Sequence, residues 1–78
     1  MLHKLRQARF KLQITQFELA EQIKKIYSGS FYQNYVSNIE LFNVTPRELT
    51  KKKIINALNE VASKKKIKVV YDIDLFDN

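Results

Sequence analysis

QNYVSNIE, Gln33 to Glu40, concentrates three carboxamides and a hydroxyl in eight residues. Wound as a helix, the stretch and its flanks place Tyr32, Tyr35, Val36, Ile39 and Phe42 within about 120°. Gln33, Asn34, Ser37, Asn38 and Glu40 fill the other side, with Leu41 among them. Solvated helix faces favour Lys and Glu, which form helices well, whereas Asn and Ser form them poorly. Side-chain amides carry a donor and an acceptor side by side, the pair that matches N6 and N7 of adenine in a major groove. Leu41 suits a thymine methyl on such a face. The bland alternative is a neutral surface helix with no partner.

Other site chemistry is sparse. There is no cysteine and one histidine, so neither a disulfide framework nor a metal site is expected, and His3 reads as solvent-exposed. One glycine leaves no phosphate-cradling loop, and no nucleophile–base set is evident, so an enzyme is not expected. No cofactor is implied.

Charge points to a polyanion. All 14 Lys and Arg fall at or before Lys68, and five of the eight acids lie before residue 70. Residues 1–70 therefore carry +9, and Asp72, Asp74 and Asp77 give the tail −3. Such a body attracts nucleic acid at long range. The runs at 51–53 and 64–66 would also serve charge-driven binding to nucleic acid or an anionic membrane. No apolar run approaches the roughly 18 residues of a membrane span. MLHKLRQARF has charge but no apolar core behind it and does not read as a signal peptide. A cytoplasmic protein of bacterial or phage origin is expected.

The elements that must position the amides follow from periodicity. Leu2, Leu5, Ala8 and Leu12 share one helical face. Thr15 and Glu18 form a capping box, predicting a second helix from Gln16 with Leu19, Ala20, Ile23, Ile26 and Tyr27 inward. Gly29 marks the turn that ends it, and Lys24 and Lys25 face either a nucleic-acid backbone or solvent. Ser30 and Gln33 form a second possible box, predicting a third helix from about Phe31 to Asn43. Thr45-Pro46-Arg47-Glu48 reads as N-cap, N1 and N3 of a fourth helix, with Ile54, Leu58 and Val61 inward. Whether residues 46–64 make one helix or two is open around Lys51–Lys53.

The last segment changes period. Ile67, Val69, Tyr71, Ile73 and Leu75 alternate with Lys68, Val70, Asp72, Asp74 and Phe76, the signature of a half-buried strand. No second strand is evident. The expected solution is antiparallel pairing with a second copy across a two-fold axis. The chain thus divides into a helical domain, 1–64, and a dimerisation arm, 65–78. At 78 residues such a domain buries only about 60–65% of its unfolded surface, and a second copy would help it.

TQFELA (15–20) followed by YVSNIE (35–40) resembles the phage repressor and Cro-like helix-turn-helix family, the lambda-repressor-like domain. The resemblance covers about residues 2–58, and the Arg9 to Thr15-Gln16 spacing and Pro46 add to it. It implies a mainly α domain of four to five helices, here with a C-terminal β-strand that pairs in a dimer. It implies that Gln33, Asn34, Ser37 and Asn38 read bases in double-stranded DNA. Thr15 and Gln16 would meet phosphate at the start of helix two, Gln16 also bracing Gln33. Arg9 and Glu40 match positions that often form an ion pair. The family usually spaces the two glutamines more closely; here they are seventeen apart, with the extra residues in IKKIYSGSFY. The chain also reads LFNV where the family often has a basic loop, leaving Asn43, Thr45, Arg47 and Lys51 to take the phosphates. The implied function is a homodimeric transcriptional regulator, a repressor in the family's manner, reading a palindromic operator. The alternative is an antitoxin or anti-repressor module whose strand pairs with a protein partner.

Overall fold

In a computed structural model, which describes residues 2–77, four helices enclose one apolar core. Helix α1 spans Lys4–Leu12 and buries Leu5, Ala8, Arg9 and Leu12. Its N-cap is His3, whose Nδ1 accepts from the Leu5 N–H at 3.0 Å. His3 is buried, not exposed as expected: its ring lies 4.9 Å from Phe42 and 6.2 Å from Phe76. At the far end Gln13 takes φ +59°, and the Lys65 ammonium donates to the carbonyls of Leu12 and Gln13 at 2.8 and 3.2 Å. A cation there complements the negative end of the helix dipole.

Helix α2, Gln16–Ile26, starts where expected, with both halves of the Thr15–Glu18 box made at 3.0 and 2.9 Å. Hydrogen bonding from Thr15, first of all from its backbone N–H, holds the Glu18 carboxyl below its usual range. Leu19, Ala20 and Ile23 enter the core, while Ile26 is exposed and Tyr27 only partly covered. Helix α3, Gln33–Glu40, begins later than Phe31 and without the Ser30 cap; Tyr32 is its N-cap and supplies no side-chain bond. Phe31 instead stays outside the helix, packed edge-on against Tyr35 at 5.3 Å. The left-handed residue beyond α3 is Phe42, φ +63°, rather than Asn43. Its ring contact with His3 offsets a conformation that bulky residues rarely adopt.

Helix α4 is a single helix, Glu48–Lys64, unbroken at Lys51–Lys53. It begins beyond the expected Thr45–Pro46 start, with Arg47 at the cap position and no side-chain cap bond. Pro46 is buried in the preceding loop, where it lines a small cleft with His3, Phe42 and Phe76. Ile54, Ile55, Ala57, Leu58, Val61 and Ala62 complete the core, and Leu49 is exposed. Among the described residues no helix is long and apolar enough to cross a membrane.

The expected C-terminal strand is not formed; among the described residues there is no strand. After Lys66 turns with φ +58°, the chain runs back along its own helices. The Tyr71 N–H donates to Asn59 Oδ1 at 2.7 Å, and Asn59 Nδ2 donates to the Tyr71 carbonyl at 3.1 Å. One carboxamide on α4 thereby satisfies the backbone that a neighbouring strand would have paired. Ile67, Val69 and Tyr71 turn inward while Val70 is 88% exposed, so the period-2 pattern reflects one-sided packing of an irregular segment on a helical core. A 3-10 turn, Ile73–Phe76, follows, capped by Asp72 and carrying the buried Leu75. Ile67, Val69, Tyr71, Ile73 and Leu75, expected as a dimer strand, thus do not form a strand in this structure.

Burial pushes the His3 imidazole below its ordinary value of 6.5, with the Glu40 charge opposing. The unfolded chain then takes up the proton first, so stability falls as pH drops below about 6.5 and levels off below the folded value. Protonation at Nδ1 also removes the α1 cap acceptor. Thermal melts between pH 7.5 and 5 should show this fall in Tm, and His3→Asn, which retains a capping oxygen, should reduce it. An undiminished slope in that variant would assign it to other groups.

Candidate nucleic-acid interface

Helix α3 is short, and its orientation is fixed by what it buries. Val36 and Ile39 are fully buried, and Glu40 beside them is only 6% exposed. The Glu40 carboxylate accepts from Arg9 Nε at 2.7 Å and Arg9 Nη2 at 2.8 Å, a two-pronged ion pair. Arg9 Nη1 donates to the Ile14 carbonyl at 3.0 Å, and Gln16 Nε2 donates to Glu40 at 3.1 Å. Three helices and the turn between the first two meet in this network.

Burying Glu40 removes the one acid from the outward arc of α3. What remains is neutral: Gln33 and Asn34 exposed, Ser37 and Asn38 partly covered, Leu41 61% exposed. At about 100° per residue these five fall within an arc of about 140°. Gln33 and Gln16 line one cleft of about 510 Å³ with Phe10, Gln13 and Thr15. The Gln16 amide donates to Glu40, not to Gln33, because the ion pair presents the stronger acceptor. The expected bracing of Gln33 by Gln16 is thus replaced by bracing of Glu40.

The remaining sequence-chosen residues divide. Thr15 has its hydroxyl engaged in the capping box. Asn43 is tied to the end of α3 by its N–H to the Asn38 carbonyl at 2.9 Å and by a longer amide contact of 3.4 Å between side chains. Thr45 and Arg47 are exposed on the loop that follows. Lys51 turns elsewhere: its ammonium is 3.5 Å from Glu48 and 5.9 Å from the Phe76 ring, with the side chain only 17% exposed. Sequence reasoning missed the aromatic surroundings of this face, in which Phe10 and Tyr32 are 53% and 63% exposed. Their exposure at helix ends leaves no periodic trace.

Comparison with protein-family models, curated proteins and solved structures gave no significant match.

Removing one member of the buried pair strands a charge. Arg9→Ala or Glu40→Ala should each cost about 3–5 kcal/mol in equilibrium unfolding. The double variant Arg9→Met/Glu40→Leu should lose less than either single one. Single losses under about 1 kcal/mol would show that the network does not hold α3 in place.

Proposed function

We propose that the chain is a sequence-specific double-stranded DNA-binding regulator that inserts α3 into the major groove. The carrying observation is the arc of Gln33, Asn34, Ser37, Asn38 and Leu41, free of charge and turned outward from a basic body. Amide pairs would read base edges, Asn34 and Gln33 suiting adenine, while Leu41 contacts a thymine methyl. The start of α2 and the loop carrying Asn43, Thr45 and Arg47 flank this arc and would meet the phosphates. Lys51, held by Glu48, is the least suited of the phosphate candidates.

The resemblance to phage repressor and Cro-like domains in TQFELA and YVSNIE supports the same reading, including a helix-turn-helix role for α2 and α3. It also favours a repressor acting as a homodimer on a palindrome. With the tail packed against its own core, the pairing surface would lie elsewhere than on a terminal strand. A module recognising proteins by strand addition loses its main support for the same reason.

Selection from a random duplex library at physiological salt tests the reading. An enriched motif is expected, palindromic if two copies bind together. Neutralising about six phosphates implies a log–log salt slope of about −5. Asn34→Ala or Gln33→Ala should cost about 1–3 kcal/mol and relax preference at one position. Retention without enrichment, or variants that keep the wild-type motif and affinity, would reject base reading by α3.

A further inference from the structure

The connection between α2 and α3, residues 27–32, is long for the turn it makes, and it is built rather than loose. Tyr27 Oη accepts from Asn56 Nδ2 on α4 at 2.5 Å, and the Lys53 ammonium lies 5.4 Å from the Tyr27 ring. Phe31 is wedged edge-on against Tyr35. Tyr32 is left 63% exposed, with the Lys24 ammonium 6.0 Å from its ring. Ser30, Phe31, Tyr32 and Tyr35 wall a cleft of about 550 Å³, completed across the gap by Arg47, Thr50 and Lys53.

Its chemistry is one-sided. No carboxylate lines it, whereas the cleft between α2 and the end of α4 mixes Glu18 and Glu21 with lysines. The ion pairs among the described residues are Arg9–Glu40, Lys24–Glu21, Lys51–Glu48 and Lys64–Glu60, so Arg47 and Lys53 are in none. Hydroxyls of Ser30, Tyr32 and Thr50 add donors beside the two cations. The cleft also borders the amide arc. Around α3, Tyr35 follows Asn38 by about 60°, so its lip and the outward face are neighbours.

We propose that this cleft seats the sugar–phosphate backbone of the duplex flanking the bases that α3 reads. Arg47 and Lys53 neutralise adjacent phosphates, and Tyr32 packs against the deoxyribose between them. The long connection, which no base-reading role requires, is then the wall of a second backbone contact. This rests on the reading of α3 as the DNA-facing helix, and the two can fail separately.

Anisotropy titrations of a fluorescent duplex over a salt series test it, using the wild type and Arg47→Ala/Lys53→Ala. The control is Lys64→Ala/Lys68→Ala, which removes the same charge away from the cleft. Loss of two phosphate contacts should make the salt slope shallower by about 1.8 in the cleft variant. The control should change it by less than half as much, and the selected motif should stay the same. Arg47→Lys/Lys53→Arg should restore the slope, and Tyr32→Ala should weaken binding several-fold to all duplexes. Thermal melts of each variant establish that the fold is retained. A cleft slope equal to that of the wild type or the control would overturn the proposal while leaving base reading intact. Sequence-blind binding by the wild type, with the slope change still present, would reject base reading and retain the cleft. No duplex binding at all would overturn both.

Discussion

The Arg9–Glu40 pair is the constraint around which the rest is arranged. Two opposite charges removed from water recover their hydration only when geometry is good and spare polar atoms are bonded. Here both carboxylate oxygens accept from the guanidinium, the remaining guanidinium nitrogen reaches the Ile14 carbonyl, and Gln16 adds a further donor. The pair thereby fixes the end of α1, the turn at Ile14 and the C-terminal end of α3 relative to one another. It also decides the character of the exposed face. A free Glu40 on that face would repel phosphates; a buried one leaves amides, a hydroxyl and a leucine.

Helix α3 needs that support. It has eight residues, no side-chain cap, no acid in its first turn and no base in its last. Helices this short are not stable alone, and Asn and Ser lower their propensity further. Its order comes from Val36, Ile39 and Glu40 below and from Phe31 against Tyr35 at its start. Composition that is poor for helix formation is thus kept on the outward side, and tertiary contacts supply what propensity lacks. Local instability and outward polarity are two consequences of the same residues.

What the sequence disclosed, and what it hid, follows from the range of the interactions involved. The Thr15–Glu18 box spans three residues and formed as read, and the apolar spacing of α1, α2 and α4 found most of the core. Thr45-Pro46-Arg47-Glu48 has the same local grammar, yet the helix starts later. Pro46 there lines a cleft with His3 and Phe76, which lie far away in the chain. The Ser30–Gln33 box was displaced by an aromatic contact. His3, an unremarkable surface residue by sequence, became a buried cap because Phe42 and Phe76 close over it.

The tail shows the same limit in its clearest form. Alternation from Ile67 to Tyr71 reports that the chain is covered on one side, and this the structure retains. It does not report what lies on that side or what completes the backbone hydrogen bonds. Asn59, an amide on α4 twelve residues before Tyr71, supplies both a donor and an acceptor. A strand signature therefore counts unsatisfied backbone groups without naming their partner, and at Tyr71 one well-placed carboxamide takes that part. The acids of the tail follow from this packing. Asp72 caps the 3-10 turn, and the tail stays with the core that Leu75 helps to fill. The 3-10 turn that carries these acids packs against α1 and α4. Among the described residues Arg47 and Lys53 are in no ion pair, and they line a cleft without carboxylates beside the start of α3.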